Sequence, residues 1–260
     1  MPGWTDVDAP RLADVRRTPL RATFIERPHR FAARCILRGG RETVAHVPNP
    51  GRLTGVLSPR CQVLLDGPYP PARTLTYTMV AARAGDTWVG TNTIYANRAF
   101  PALVSHGLFP ELDATARPAA RTPGAGRVAR TDRDTASAVI QPEVVHGRSR
   151  FDFRVGETMV EVKSVTLTSG HAGAFPDAVS ARAARHCDDL AALCRAGHPA
   201  AVVFIAQRGD VESVAPEDDV DPAFGVALRG AAAAGVMVLA CALDITPAGA
   251  ARARRIPVTL

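Results

Sequence analysis

The chain has 260 residues, 47% of them hydrophobic, and a formal net charge of +6. That length holds one large domain or two ordinary ones with a sizeable core, and the basic excess is compatible with a polyanionic partner without requiring one. Five cysteines, an odd number with no Cys-x-x-Cys pair, argue against a disulfide framework or a zinc site. No run approaches the ~20 apolar residues of a membrane span. The start, Met1-Pro2-Gly3-Trp4-Thr5-Asp6, lacks the basic flank and apolar run of an export signal, so the expected location is the cytoplasm.

In chain order, residues 1–17 are polar and Pro- and Arg-bearing, as a loose leader would be. Short strand-like runs follow at 20–25, 31–37, 43–47, 62–65 and 75–80, separated by turn residues such as Gly39-Gly40 and Gly67-Pro68. Five short strands over 18–81 predict a small β-barrel of the oligonucleotide-binding kind. Two of its loops, Arg27-Pro28-His29-Arg30 and Pro48-Asn49-Pro50-Gly51-Arg52, carry groups suited to phosphate. Arg27, Arg30, Asn49 and Arg52 are the candidate DNA contacts there, with Gly51 allowing close backbone approach. The aromatics of this region are Phe24, Phe31 and Tyr77, and some must be core, so base stacking is not supported as the main binding mode.

The rest of the chain, 82–258, reads as a second domain. Trp88-Val89-Gly90 predicts a strand, and 97–106 a short helix stopped by Gly107. The stretch 113–137 holds five arginines, three aspartates and Val128 as its only large aliphatic, a composition expected to stay disordered. Strands are expected at 143–146, 151–153 and 160–163, then a flexible loop at 169–173. A helix capped by Asp177 runs on to Gly197, and a fully apolar strand follows at 201–206. Asp221-Pro222 opens a further helix, and a last strand covers 236–243. Strands and helices in that order predict an α/β (α+β) domain with a mixed sheet covered by helices.

The stretch with the most chemistry is Arg150-Phe151-Asp152-Phe153, a turn, and Val160-Glu161-Val162-Lys163. Strand periodicity puts the four apolar residues on one face and Asp152, Glu161 and Lys163 on the other. The short link between the runs suits an antiparallel hairpin, which brings Asp152 beside Glu161 with Lys163 one step along. Two carboxylates at that separation suit Mg²⁺ or Mn²⁺, and an adjacent ammonium suits a developing phosphorane charge. A plain surface ion pair is the competing reading of Glu-x-Lys. Against it, Lys163 is the only lysine among 31 basic residues, as if a guanidinium would not serve there. Arg150 flanks the hairpin, and Arg182, Arg185 and His186 lie on neighbouring positions of the following helix, where they could face a phosphate.

These residues resemble the sugar fermentation stimulation protein A family, also described as DNA-binding. The resemblance rests on Pro48-Asn49-Pro50-Gly51-Arg52-Leu53, Val89-Gly90-Thr91-Asn92-Thr93, Asn97-Arg98, the Ser149–Phe153 and Glu161–Leu167 runs, Phe175-Pro176-Asp177-Ala178-Val179 and Asp221-Pro222. It implies an N-terminal oligonucleotide-binding barrel and a restriction-endonuclease-like C-terminal domain. It also implies Asp152 and Glu161 as metal ligands and Lys163 as the catalytic lysine. Pro50 stands where the family has Thr or Ser, and Arg182-Ala183-Ala184-Arg185-His186 where it has Arg-Gly-x-Lys-His. The 113–137 insertion is longer than the family's link. A third acidic ligand is common in the superfamily, with Glu111 and Glu143 as candidates here.

The expected function is sequence-non-specific binding of DNA, duplex or single-stranded, with a Mg²⁺-dependent nuclease-type site and an indirect link to sugar (maltose) metabolism. The alternative is a non-catalytic DNA-binding or regulatory protein that keeps the nuclease fold. No membrane or small-molecule cofactor is expected, and the sequence leaves oligomeric state open.

Overall fold

A computed structural model describes residues 3–15, 18–70, 74–113 and 139–260. The segment expected to be disordered, 113–137, lies outside the described residues apart from Asp113. Residues 3–15, expected as a loose leader, are docked. Strand β1 (Thr5–Asp6) pairs antiparallel with the last strand, Val7 and Leu12 are buried, and the N–H groups of Asp14 and Val15 donate to the buried Asp66 carboxylate.

The barrel consists of β2 (Leu20–His29), β3 (Ala32–Leu37), β4 (Glu42–His46), β5 (Gln62–Asp66) and β6 (Tyr77–Ala84). Its order is β4-β3-β2-β5-β6, and a parallel pairing of β4 with β6 closes it. The β3–β4 turn needs left-handed backbone at two successive positions, φ 101° and 87°, which Gly39 and Gly40 supply without a Cβ clash. Phe24, Cys35, Val47, Leu65 and Met79 fill the interior. The barrel sheet runs further than 81, because β7 (Thr87–Gly90) pairs with β6 and Val89 enters the barrel core.

The second domain begins with α1 (Ile94–Ser105), three residues ahead of its expected start because the Asn92 side chain accepts the Ile94 N–H. Next come β8 (Ile140–His146), β9 (Ser149–Val155), β10 (Thr158–Val165), β11 (Leu167–Ser169) and β12 (Ala172–Phe175). The loop expected at 169–173 is thus the turn of a β11–β12 hairpin. Helix α2 (Ala181–Arg195) is capped by Ser180, whose Oγ accepts the Ala183 N–H, and not by Asp177. The remaining elements are β13 (Ala200–Ala206), β14 (Ser213–Pro216), α3 (Pro222–Ala233), β15 (Met237–Thr246) and β16 (Gly249–Ile256). Seven strands form one mixed sheet, β1-β16-β15-β13-β10-β9-β8, and β11-β12-β14 form a small second one.

All seven residues of β13 are buried, as a strand covered on both faces requires. Val203 and Ile205 join a core with Phe100 and Leu103 of α1 and with Leu64, Val80 and Trp88 of the barrel, so the two domains share one apolar interior. Val202 and Phe204 point the other way, toward Leu190 of α2 and Phe224 and Leu228 of α3. Each such large side chain contributes about 1.5–3 kcal/mol through burial. Phe151 and Phe153, expected on one face, divide between these cores. Phe153 meets Phe100 with ring centroids 4.7 Å apart, while Phe151 turns edge-on to His186 at 5.8 Å. The period of two is therefore broken at Asp152.

Asp221 ties the two covering helices together. Its Oδ1 accepts the Phe224 N–H (3.1 Å) as the α3 cap, and its Oδ2 accepts the N–H of Ser180 (2.8 Å), the residue that caps α2. Asp221→Ala should cost about 2 kcal/mol, lowering the melting temperature by roughly 4–8 °C. An unchanged melting curve would contradict this double role.

Candidate active site at a strand fork

Strand β10 pairs with β9 only over Val155↔Thr158, Arg154↔Met159 and Phe153↔Val160, but with β13 along Met159–Val165. Beyond Val160 the first two strands part, and Asp152 occupies the gap. Its Oδ2 accepts the Val162 N–H (2.9 Å), a backbone donor the departing strand no longer serves, and its Oδ1 accepts Asn97 Nδ2 (2.7 Å) from α1. Asp152 is thus held in the gap between the strands, facing the next residues of β10.

Glu161 and Lys163 project toward α2, opposite Val160 and Val162, and are only 5% and 8% exposed. Lys163 Nζ donates to Glu161 Oε1 at 2.7 Å, and His186 Nδ1 of α2 sits 2.6 Å from the same oxygen. Arg182 Nε approaches His186 Nε2 at 3.4 Å as a donor, which puts the neutral ring's proton on Nδ1, facing Glu161. The other carboxylate oxygen, Glu161 Oε2, is buried with no hydrogen-bond partner.

The two acids are driven apart in proton affinity. Burial, then the Glu161 charge, pushes Asp152 above the usual carboxylate range, against the opposing pull of Val162 N–H, Lys163 and Asn97. Burial alone would raise Glu161 as well, but His186 and Lys163 outweigh it and hold that carboxyl below its ordinary value. Asp152 thus lies within electrostatic reach of Glu161 and Lys163 across the fork, and not as the paired neighbour of Glu161 that a continuous hairpin register would give.

Among the described residues no group of three or more His, Cys, Asp or Glu is arranged to hold a metal ion. Two carboxylates suffice for Mg²⁺, whose remaining positions are commonly filled by water, and the bare Oε2 beside Asp152 fits such an ion. Neither candidate third acid joins them. Glu111 is forked onto Arg255 at 3.1 Å, and Glu143 on β8 pairs with Arg150 at 2.8 Å.

The expected DNA contacts separate into two groups. Arg27 donates to the carbonyls of Gly51 (2.7 Å), Arg52 (2.8 Å), Asn49 (2.9 Å) and Arg30, so its guanidinium is spent on shaping the loop. Asn49 is 2% exposed, and its Oδ1 accepts the Gly51 N–H. These two organise the barrel loop and do not face solvent with free donors. Arg30, Arg52, Arg150, Arg182 and Arg185 are exposed. The close approach expected at Gly51 is made by the chain itself, since a Cβ there would lie 1.7 Å from Asp177 Oδ2. Burial pushes the Asp177 carboxyl up, against Arg27, the Leu53 N–H and Arg52. This contact seats the barrel loop on the second domain beside a cavity of about 200 Å³ lined by Arg52, Leu53, Asp177 and Val220.

Asn97, His186 and Gln207 have roles that spacing does not reveal. Gln207 Nε2 donates to Ser164 Oγ and to the Asn92 carbonyl (both 2.8 Å), stitching the end of β10 to the start of α1. Asn97 and His186 carry a sequence signal through the resembling motifs, and Gln207 carries none.

The raised proton affinity of Asp152 has a stability consequence. Above that raised value the wild type carries a charge the fold penalises, so with chelator present Asp152→Asn should melt higher at pH 7–8, with Asn97 turning its amide to serve the new side chain. The advantage should shrink as pH falls and wild-type Asp152 takes up its proton. A variant melting below wild type at pH 7 would contradict the pairing described.

Comparison with known proteins agrees with this architecture. A family model for the SfsA N-terminal OB domain matches residues 25–91, and one for the sugar fermentation stimulation protein RE domain matches 125–249. A sugar fermentation stimulation protein homolog from Symbiobacterium thermophilum is 36% identical over 96% of this chain and 97% of its own, and one from Thioalkalivibrio sulfidiphilus is 38% identical over 93% and 95%. The solved structure of Pyrococcus furiosus SfsA in complex with Ca²⁺ superposes with a TM-score of 0.76 at 23% identity, covering 97% of this chain and all of that one. No helix among the described residues is long and apolar enough to cross a membrane. With two relatives above one-third identity along nearly its whole length, the chain belongs to the sugar fermentation stimulation protein family.

Proposed function

We propose that this protein binds nucleic acid and hydrolyses its phosphodiester bonds at the β9–β10 fork with a divalent metal, Mg²⁺ or Mn²⁺. The observation that carries the reading is Glu161 Oε2, buried and without a donor next to Asp152, while Oε1 is held by Lys163 and His186. A carboxylate so divided is costly in a folded protein unless a cation completes it. The archaeal relative solved with Ca²⁺ supports divalent binding within the fold.

Asp152 and Glu161 Oε2 would hold the ion, which supplies Lewis-acid polarisation of a phosphoryl oxygen and a more acidic water. Lys163, fixed by Glu161, places a compact positive charge where negative charge develops on the phosphoryl oxygens and orients the attacking water. Exposed Arg52, Arg182 and Arg185, with Arg30 and Arg150, offer guanidiniums to the backbone phosphates, consistent with the net charge of +6. Such contacts read no base edges, so binding is non-specific in sequence. The sugar-fermentation effect in the family name follows, in this reading, from action on nucleic acid and not from a sugar site.

The test is incubation with supercoiled, linear and single-stranded DNA and with RNA, in Mg²⁺, Mn²⁺ or EDTA. Metal-dependent cleavage should appear in the wild type and fall by about 100-fold or more in Asp152→Ala, Glu161→Gln and Lys163→Ala. Undiminished DNA binding with no cleavage in any metal would leave the alternative, a binding protein on a nuclease fold.

A further inference from the structure

His186 is 2% exposed, and the reading above leaves open what its contact with Glu161 Oε1 accomplishes. Its ring is fixed on three sides. Phe151 meets it edge-on at 5.8 Å, Arg182 Nε approaches Nε2 at 3.4 Å, and Nδ1 rests 2.6 Å from Glu161 Oε1. A buried imidazole is usually satisfied by a backbone carbonyl or by water. Here Nδ1 instead faces a carboxylate that already takes Lys163 Nζ at 2.7 Å on the same oxygen. Lys163 Nζ donates to Oε1 and His186 Nδ1 is pressed against the same oxygen at 2.6 Å, unaligned for a full hydrogen bond, while Oε2, equally buried, has no partner. Sharing the donors between the two oxygens would satisfy the acid better, so the crowding needs a reason.

The geometry points to His186 as a positioning residue that, with Arg182 behind it, pins Glu161 by Oε1 so that Oε2 faces the cation and Lys163 stays in place. The inference rests on the proposed metal site. It assigns to α2 the choice of which carboxylate oxygen is offered. Lys163 alone cannot make that choice: it lies two residues from Glu161 on the same strand, and its long stem can follow the carboxylate through a rotation. The imidazole, anchored on a different element, cannot follow. Arg182 donates to Nε2, which leaves the neutral ring's proton on Nδ1, the nitrogen facing Glu161 Oε1.

Supporting partners of metal-binding side chains typically cost 10–100-fold in metal affinity when removed. Mn²⁺ titrations followed by electron paramagnetic resonance, without substrate, should therefore show His186→Ala binding 10–100-fold more weakly than wild type. His186→Asn, whose Nδ2 stands near the position of Nδ1, should recover most of the loss. His186→Gln, which places its amide at the far end of the ring, should recover less. Melting curves in EDTA for all variants separate positioning from a general loss of structure. Wild-type affinity in His186→Ala, or His186→Asn as weak as His186→Ala with the same melting temperature, would overturn the positioning role while leaving the metal site standing. Absence of saturable Mn²⁺ binding in the wild type, or wild-type binding in Asp152→Ala, would overturn the proposed site and this inference with it.

Discussion

Glu161 concentrates the physical problem that the rest of the molecule is built around. Its carboxylate is almost entirely removed from water, which costs several kcal/mol unless opposite charge or donors replace the lost hydration. Lys163 and His186 supply that compensation to one oxygen only. Asp152, half-buried nearby and raised in proton affinity by desolvation and then by the Glu161 charge, adds to the local excess of negative potential. In the proposed reading a divalent ion would relieve both strains, and three separate elements meet at that point. Strand β9 leaves the ladder so that Asp152 can enter, α1 contributes Asn97, and α2 contributes His186.

The barrel is part of the same construction. Leu64, Val80 and Trp88 on its outer surface share a core with α1 and with Val160 and Val162 behind the acids. Thr93, at the N-terminus of α1, also donates through its N–H and hydroxyl to the Pro48 carbonyl (both 3.2 Å), linking the barrel loop to the helix that holds Asp152. Arg27, by collecting four carbonyls, sets the shape of that loop, and Gly51 lets Asp177 lock it from the other side. The segments that carry the exposed arginines of barrel and α2 are therefore tied to the fork through these contacts.

The paired part of the hairpin, up to Phe153 and Val160, was readable from its alternation, whereas the fork at Asp152 was not. So were β13, whose unbroken apolar run admits only a doubly covered strand, and α3, whose Asp221-Pro222 start combines a cap with a preset φ. Other features depend on partners distant in sequence. Residues 3–15 look like a tail until Asp66, more than fifty positions away, takes the N–H groups of Asp14 and Val15. Arg27 and Asn49 look like phosphate ligands because a guanidinium and an amide suit phosphate and backbone carbonyls or N–H groups equally well. Phe151 breaks the strand pattern because Asp152 fills the gap between the strands, and Ser180 caps α2 while the Asp177 carboxylate packs against Gly51 and takes the Leu53 N–H. The short strands β11, β12 and β14, and the longer Arg-rich β16, owe their pairing to neighbours. In each case the missing information is which of several chemically acceptable partners the fold brings near.

The account stands or falls on what occupies the space in front of Glu161 Oε2. Crystals grown with Mn²⁺ and measured for anomalous scattering address it directly. A single strong peak about 2–2.5 Å from both Glu161 Oε2 and the Asp152 carboxylate, with Lys163 and His186 still on Oε1, is the predicted result. A peak elsewhere on the molecule, or Oε2 turned onto a protein donor with no metal beside it, would contradict it.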